Sequence, residues 1–197
     1  MDDRSAILNS LLAGGCNDTF APESEPLEDA SQREACTASD SLELRSRFEA
    51  TLAALGGRMG TTEDLALLKS PDAWIEADCL GTAARLLGVT PEELDGQGRT
   101  DLWSASVGVT LADLAIAETG SLLISAGPGK RRLASLAPPV HIVLVPERRL
   151  VETLEGAVLG MSDRTTVIVT GPSRTADIEG ILIRGVHGPG ELIVFWV

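Results

Sequence analysis

Five short apolar runs dominate the second half of the chain: Ser121–Ser125 (SLLIS), His141–Val145 (HIVLV), Thr165–Thr170 (TTVIVT), Gly180–Val186 and Glu191–Val197. They do not alternate strictly between apolar and polar residues, so as strands they need cover on both faces. Helical stretches precede three of them, at Leu111–Ala117, Arg131–Leu136 and Arg148–Leu159. Strands alternating with helices in this way predict an α/β fold, three layers deep, around a largely parallel central sheet.

The first half is organised differently. Arg4–Ala13 (RSAILNSLLA) has apolar residues at helical spacing, and Gly14-Gly15 ends it. A polar, acidic stretch follows to residue 40. It lacks apolar periodicity and reads as a flexible linker, with a partner-docking arm as the alternative. Residues 1–40 hold nine Asp/Glu and two Arg, so half of the net charge of −13 lies in the first fifth of the chain. Ser41–Leu55 places Leu44, Phe48, Leu52 and Leu55 on one helical face, with Asp40 or Ser41 as cap. A further helix opens at Thr61 and runs to about Lys69. The segment Pro71–Leu87 is ambiguous: CLGTAARLLG reads as helix, AWIEA as a short strand. The expected organisation is a helix and acidic linker over residues 1–40 and one α/β domain over 41–197.

Composition excludes some functions. Aromatic residues are 3% of the chain and Tyr is missing, so a nucleic-acid surface built on base stacking is not expected. The negative charge argues against any polyanion partner. Cys16, Cys36 and Cys79 form no CxxC pair and do not read as a zinc or iron–sulfur site. No signal-like start and no apolar stretch of about 18 residues is present, so the expectation is a soluble cytoplasmic protein without a membrane partner.

In a parallel sheet, loops that follow different strands share one edge, and ligands bind there. SAGPGKRR follows Ser121–Ser125, TGPSRTADI follows Thr165–Thr170, and GVHGPG follows Gly180–Val186. This predicts that Lys130, Arg131, Ser173, Arg174, Thr175, Asp177 and His187 gather around one cleft at the carboxyl ends of the strands. Arg174 can clamp a carboxylate or phosphate. A loop that bonds only to itself would account for the Ser and Thr residues but less well for Arg with Asp. Gly127–Arg132 (GPGKRR) reads either as an anion-binding loop or as a turn with solvated bases.

Glu118, between Ala117 and the turn Thr119-Gly120, is expected to be partly desolvated and to have a chemical task, the alternative being a helix-terminal Glu facing water. Asp113 reads as a helix-start acid. His141 reads as structural, bonded to neighbouring backbone. Ser173 and His187 make a nucleophile–base pair only if folding joins them. No metal site is expected.

The stretches VGVTLADLAIAETGSLLIS, RRLASLAPPVHIVLVP and GPSRTADIEGILIRGVHGPGELIV together resemble the lactate utilisation protein C family, single-domain members of the LUD-domain group. The likeness is dense over residues 104–197, in outline at 1–13 and 41–60, loose over 61–103, and does not extend to 14–40. Residues that match its pattern are Gly108, Thr110, Asp113, Glu118, Thr119, Gly120, His141, Ser173, Arg174, Thr175, Asp177, His187, Gly188 and Pro189. Ser121 stands where a Thr is more usual. The resemblance implies a fold like that of sugar-phosphate isomerases and coenzyme A transferases. It also implies a part in oxidising L-lactate to pyruvate with two iron–sulfur partner proteins. With no cluster ligands in this chain, no cofactor is expected here and the clusters fall to the partners. Arg174 would then hold a small carboxylate or other anion, with Glu118 and His187 orienting it, and Thr119 and Gly120 beside them. The alternative is a self-sufficient enzyme: a coenzyme A or acyl transferase with Glu118 as nucleophile, by analogy to a Glu-Asn-Gly turn, or one acting on a nucleotide or folate.

Overall fold

Alternate residues of the Val- and Ile-rich runs emerge on opposite sides of one sheet, and each side has its own apolar cover. In a computed structural model of the chain, residues 38–95, 102–127, 131–158, 165–176 and 182–197 are described. The helix expected at Arg4–Ala13, the acidic linker as far as residue 37, Cys16, Cys36, Lys130 and Asp177 lie outside the described residues; the last three linker residues are helical, so Asp40 and Ser41 lie inside the first described helix rather than at its cap.

Helix α1 (Ala38–Ala54) is followed by strand β1 (Arg58–Met59), helix α2 (Leu65–Leu68), β2 (Ala73–Ile75), α3 (Leu80–Leu87) and α4 (Pro91–Asp95). Then come β3 (Val107–Leu111), β4 (Leu114–Ile116), β5 (Ser121–Ser125), β6 (Val140–Val145), β7 (Leu150–Val151) and α5 (Leu154–Val158). The chain ends with β8 (Thr166–Val169), β9 (Arg174–Ala176), β10 (Leu182–Arg184) and β11 (Glu191–Trp196).

The central sheet has the order β1-β11-β6-β3-β2, and every pairing in it is parallel. The expectation of an α/β fold with a largely parallel central sheet is met. On one face Val109, Ile142, Leu144 and Ile193 pack against Leu68, Ala83, Ala84 and Leu94 from α2, α3 and α4. On the other, Val143, Val145, Leu192 and Val194 pack against Phe48 and Leu52 of α1 and against Ala112, Ala115, Leu122 and Ile124. Phe48 and Leu52 are fully buried, as their helical spacing predicts, and each removes apolar surface worth about 2–3 kcal/mol.

That second cover is itself a sheet, of order β7-β4-β5-β8, in which β5 runs antiparallel to both β4 and β8. Four expectations are corrected here. Leu111–Ala117 is not a helix: the Ala112 and Asp113 amides bond to the Leu144 and Leu123 carbonyls, and Leu114–Ile116 is a strand. Ala112, Ala115 and Ala117 are fully buried, and their small side chains let the two sheets approach. Tertiary packing overrides the helical preference of an Ala-rich run. The runs SLLIS and TTVIVT form strands, but in this second sheet rather than in the parallel one. Arg148–Leu159 holds a 3-10 turn (Glu147–Arg149), β7 and α5 rather than one helix, and Arg131–Leu136 holds a 3-10 turn at Arg132–Ser135. The ambiguous AWIEA run is strand at Ala73–Ile75, and CLGTAARLLG is helix. Among the described residues no helix is long and apolar enough to cross a membrane.

Candidate functional site

The pairing of β5 with β8 divides the sequence-predicted cleft in two. Their register sets Leu122 opposite Val169 and Ser125 opposite Thr166. The loop leaving β5 towards Arg131 therefore starts at one end of the sheet, and the loop leaving β8 towards Ser173 starts at the other. Arg131 is not gathered with Ser173 and Arg174, which corrects the expectation of one shared edge.

The loop after β8 instead meets the amino ends of the central strands. The Ser173 amide donates to Pro189 O at 2.8 Å, and the Gly190 amide donates to Pro139 O at 2.9 Å. Pro139 and Gly190 immediately precede β6 and β11. The Gly185 amide closes the segment by donating to Ser173 O at 3.0 Å. Gly188 lies against the Ser173 side chain, and His187 is exposed beside it. No hydrogen bond joins Ser173 to His187 among the described residues, so the conditional nucleophile–base pair is not made.

The β4–β5 turn joins the same region. The Ser121 and Thr170 hydroxyls are 2.8 Å apart. Gly120 has φ +61°, and a Cβ there would come within 2.7 Å of the Leu52 amide nitrogen, so only glycine lets the turn rest on α1. Thr119 Oγ1 is buried without a hydrogen-bond partner among the described residues. Arg174 reaches the end of α1, where its Nη2 donates to Leu55 O. The helix end attracts this cation because its last carbonyls carry partial negative charge. Thr175, half-buried, stands opposite Ile183 in the β9–β10 ribbon. Thr119, Gly120, Ser173, Arg174, Thr175, His187 and Gly188 thus lie on segments that converge around the end of α1 and the amino edge of the parallel sheet. The expected location at the carboxyl edge is corrected accordingly.

Glu118 departs from expectation. It is exposed rather than desolvated, and its Oε2 accepts the Leu154 amide at 3.1 Å, at the start of α5. Asp113 is not at a helix start: its Oδ2 accepts the Ser125 amide at 2.5 Å.

The carboxyl edge has a cluster of its own, around Glu76, a residue that no motif marks in the sequence. Glu76 follows β2 and is 4% exposed. Its Oε1 accepts the Trp74 indole N–H at 2.9 Å, and its Oε2 accepts the Arg131 amide at 2.9 Å. Burial raises its pKa, and these two donors pull the other way. The Arg131 guanidinium stands 5.0 Å over the Trp74 ring. The available signal was an acid two residues after Trp in a strand-like run. Arg131 is thus held as a loop anchor, with its charge placed on an aromatic face.

His141 was expected to bond neighbouring backbone, but its partner is a side chain: Nε2 lies 2.9 Å from Thr110 Oγ1. It is buried, its Nδ1 has no partner among the described residues, and burial lowers its pKa to about 3. The ring is therefore neutral at ordinary pH. Among the described residues, no group of three or more His, Cys, Asp or Glu converges as metal ligands would.

Comparison with known proteins places this geometry. The sequence pattern described as the LUD domain matches residues 38–197. The chain belongs to the LUD domain family. Its LUD domain is similar to "Lactate utilization protein C" of Macrococcus caseolyticus, at 38% identity over 94 residues. The protein of the same description from Exiguobacterium sp. is 40% identical over 94 residues. Each match covers 43% of this chain and 41% of the relative, so it spans less than half of either protein. The crystal structure of a DUF162 family protein from Deinococcus radiodurans superposes with a TM-score of 0.57 at 21% identity, over 80% of this chain and 98% of that one. That likeness supports the fold of the LUD domain.

Proposed function

We propose that this chain is an anion-binding component of a lactate-utilisation system that converts L-lactate to pyruvate with iron–sulfur partner proteins. The observation that carries the reading is the position of Arg174. Its guanidinium has five N–H donors. One is used on Leu55 O, and among the described residues no carboxylate pairs with the group. Arg174 follows Ser173 in the chain and reaches the last turn of α1, the helix on which the Thr119-Gly120 turn also rests, and these segments match the lactate utilisation pattern. A small carboxylate or other anion would bind there by charge-assisted hydrogen bonds, with His187 and Gly188 at its side.

The two electrons released by lactate oxidation would pass to clusters held by the partners. Cys79 fits that division: it is buried, its thiol donates to the Glu76 and Val109 carbonyls, and burial pushes its pKa up. A protonated, enclosed thiol is a poor cluster ligand. Glu118 as a transferase nucleophile has no structural observation in its favour, because its carboxylate is exposed and engaged at the Leu154 amide.

The test is a thermal shift of the full chain against L-lactate, pyruvate, coenzyme A, acetyl-CoA, ATP and a folate. A ligand at about 100 times its Kd adds about 2.7 kcal/mol, or about 5–10 °C for this size. A shift with lactate or pyruvate that disappears in Arg174→Ala supports the reading. A shift unaffected by that substitution removes Arg174 from the site.

A further inference from the structure

We infer that the anion held at this site carries a dianionic phosphoryl group, gripped by Arg174 and Arg184 together. The inference rests on the reading above that Arg174 binds an anion, and it names the chemical class of that anion and a second residue.

Arg174 and Arg184 stand directly opposite each other in the antiparallel β9–β10 ribbon. Directly paired like charges in a ribbon are unfavourable without a counter-charge. Both guanidinium groups also converge on one backbone position. The point where a Cβ would sit on Gly56, which has φ +87°, is within 4 Å of an Nη2 atom of each arginine. Glycine at that turn leaves room for both.

Among the described residues the pair is under-compensated. The end of α1 offers the equivalent of roughly half a negative charge, shared between two cations. Among the described residues Arg45 pairs with Glu49 and Glu147, Arg47 with Glu152, and Arg58 with Asp64 and Glu191. Among the described residues neither Arg174 nor Arg184 has such a partner.

A monocarboxylate neutralises one of them. A phosphoryl dianion supplies two charges and three acceptor oxygens, enough for two guanidinium forks at once. The source can be inorganic phosphate or a phosphorylated small molecule, since the group recognised is the same.

The experiment is calorimetric titration of the full chain at constant ionic strength, near pH 8, with inorganic phosphate, glycerol 3-phosphate, succinate and L-lactate in turn. Phosphate or glycerol 3-phosphate is expected to bind about tenfold tighter than L-lactate, and the tighter of the two identifies the source. Arg184→Gln should weaken the phosphoryl ligand about tenfold and L-lactate by less than about twofold. Arg174→Gln should weaken both. Where Arg184→Gln does not fold, Arg184→Lys, which keeps the charge and loses the fork, should still weaken the phosphoryl ligand. Phosphoryl ligands binding no tighter than lactate, succinate binding tightest, or Arg184 variants with unchanged affinity overturn this inference. If lactate still binds through Arg174 in that case, the anion-site reading stands. If no anion binds the native chain, both fall.

Discussion

Arg174 and Leu55 are 119 positions apart in the chain and are joined by a hydrogen bond from the guanidinium to the carbonyl at the end of α1. Through that bond the ribbon that carries Arg174 is tied to the helix that covers the central sheet. Arg174 therefore has two tasks, and they separate by experiment. Without ligand, Arg174→Gln should cost only about 0.5–1 kcal/mol, because the group is exposed and the helix-end interaction is screened. Ligand-dependent stabilisation should disappear altogether. Urea unfolding with and without L-lactate measures both, and a variant that keeps the full ligand increment contradicts the assignment.

His141 sets a pH dependence. The unfolded chain takes up a proton near pH 6.5, whereas the folded ring resists protonation to about pH 3. Stability therefore falls as pH drops from about 6.5 towards 3, at up to about 1.4 kcal/mol per pH unit. His141→Gln should flatten this slope. Parallel profiles for the two proteins between about pH 4.5 and 7.5 would show that His141 does not cause it.

Asp64 acts lower on the scale. Its carboxylate takes two hydrogen bonds from Arg58, at 2.6 and 2.7 Å, and these hold its pKa well below the usual carboxylate range. The resulting stabilisation is complete above the unfolded value of about 4 and is lost as pH falls through the depressed folded value. Asp64→Asn should be less stable than the native chain near neutrality and lose less on acidification below about pH 4. Melting temperatures recorded across that range test the sign.

Glu76 anchors the other edge of the sheet. Glu76→Ala leaves the Trp74 indole and the Arg131 amide without their acceptor and should cost about 1–3 kcal/mol, with a change in Trp emission. Glu76→Gln keeps an acceptor oxygen and should cost less. If anion binding at Arg174 is unchanged in both, the two edges act independently.

At Gly120, positive φ and contact with the α1 backbone coincide. Gly120→Ala should cost about 1–3 kcal/mol and displace the Thr119 turn. Chemical denaturation measures the first effect. An unchanged midpoint would mean that the turn yields freely.

The amphipathic face of α1 and the doubly buried runs at 141–145 and 191–197 were legible in the sequence because each contains its own periodicity. The Ala-rich run 111–117 was not, because its strand character depends on the Leu123 and Leu144 carbonyls that receive its amides. For the same reason SLLIS and TTVIVT read correctly as strands but not as members of a second sheet: strand direction is decided by a partner 45 or so positions away. The site followed suit. Ser173, Arg174, Thr175 and His187 do lie on converging segments, whereas Arg131 was joined to them only by the assumption of one parallel sheet. Glu76 escaped notice because its burial comes from Trp74 and the Arg131 loop, neither of which marks it in sequence.

The most direct test of the central claim is to follow arginine side-chain and backbone amide NMR signals of the full chain while adding L-lactate or phosphate. Saturable shifts are expected at Arg174, Arg184, Gly56 and Ser173, with Arg131 and Glu76 unmoved. Shifts centred on Glu76 and Arg131 instead would place the ligand at the carboxyl edge and contradict it.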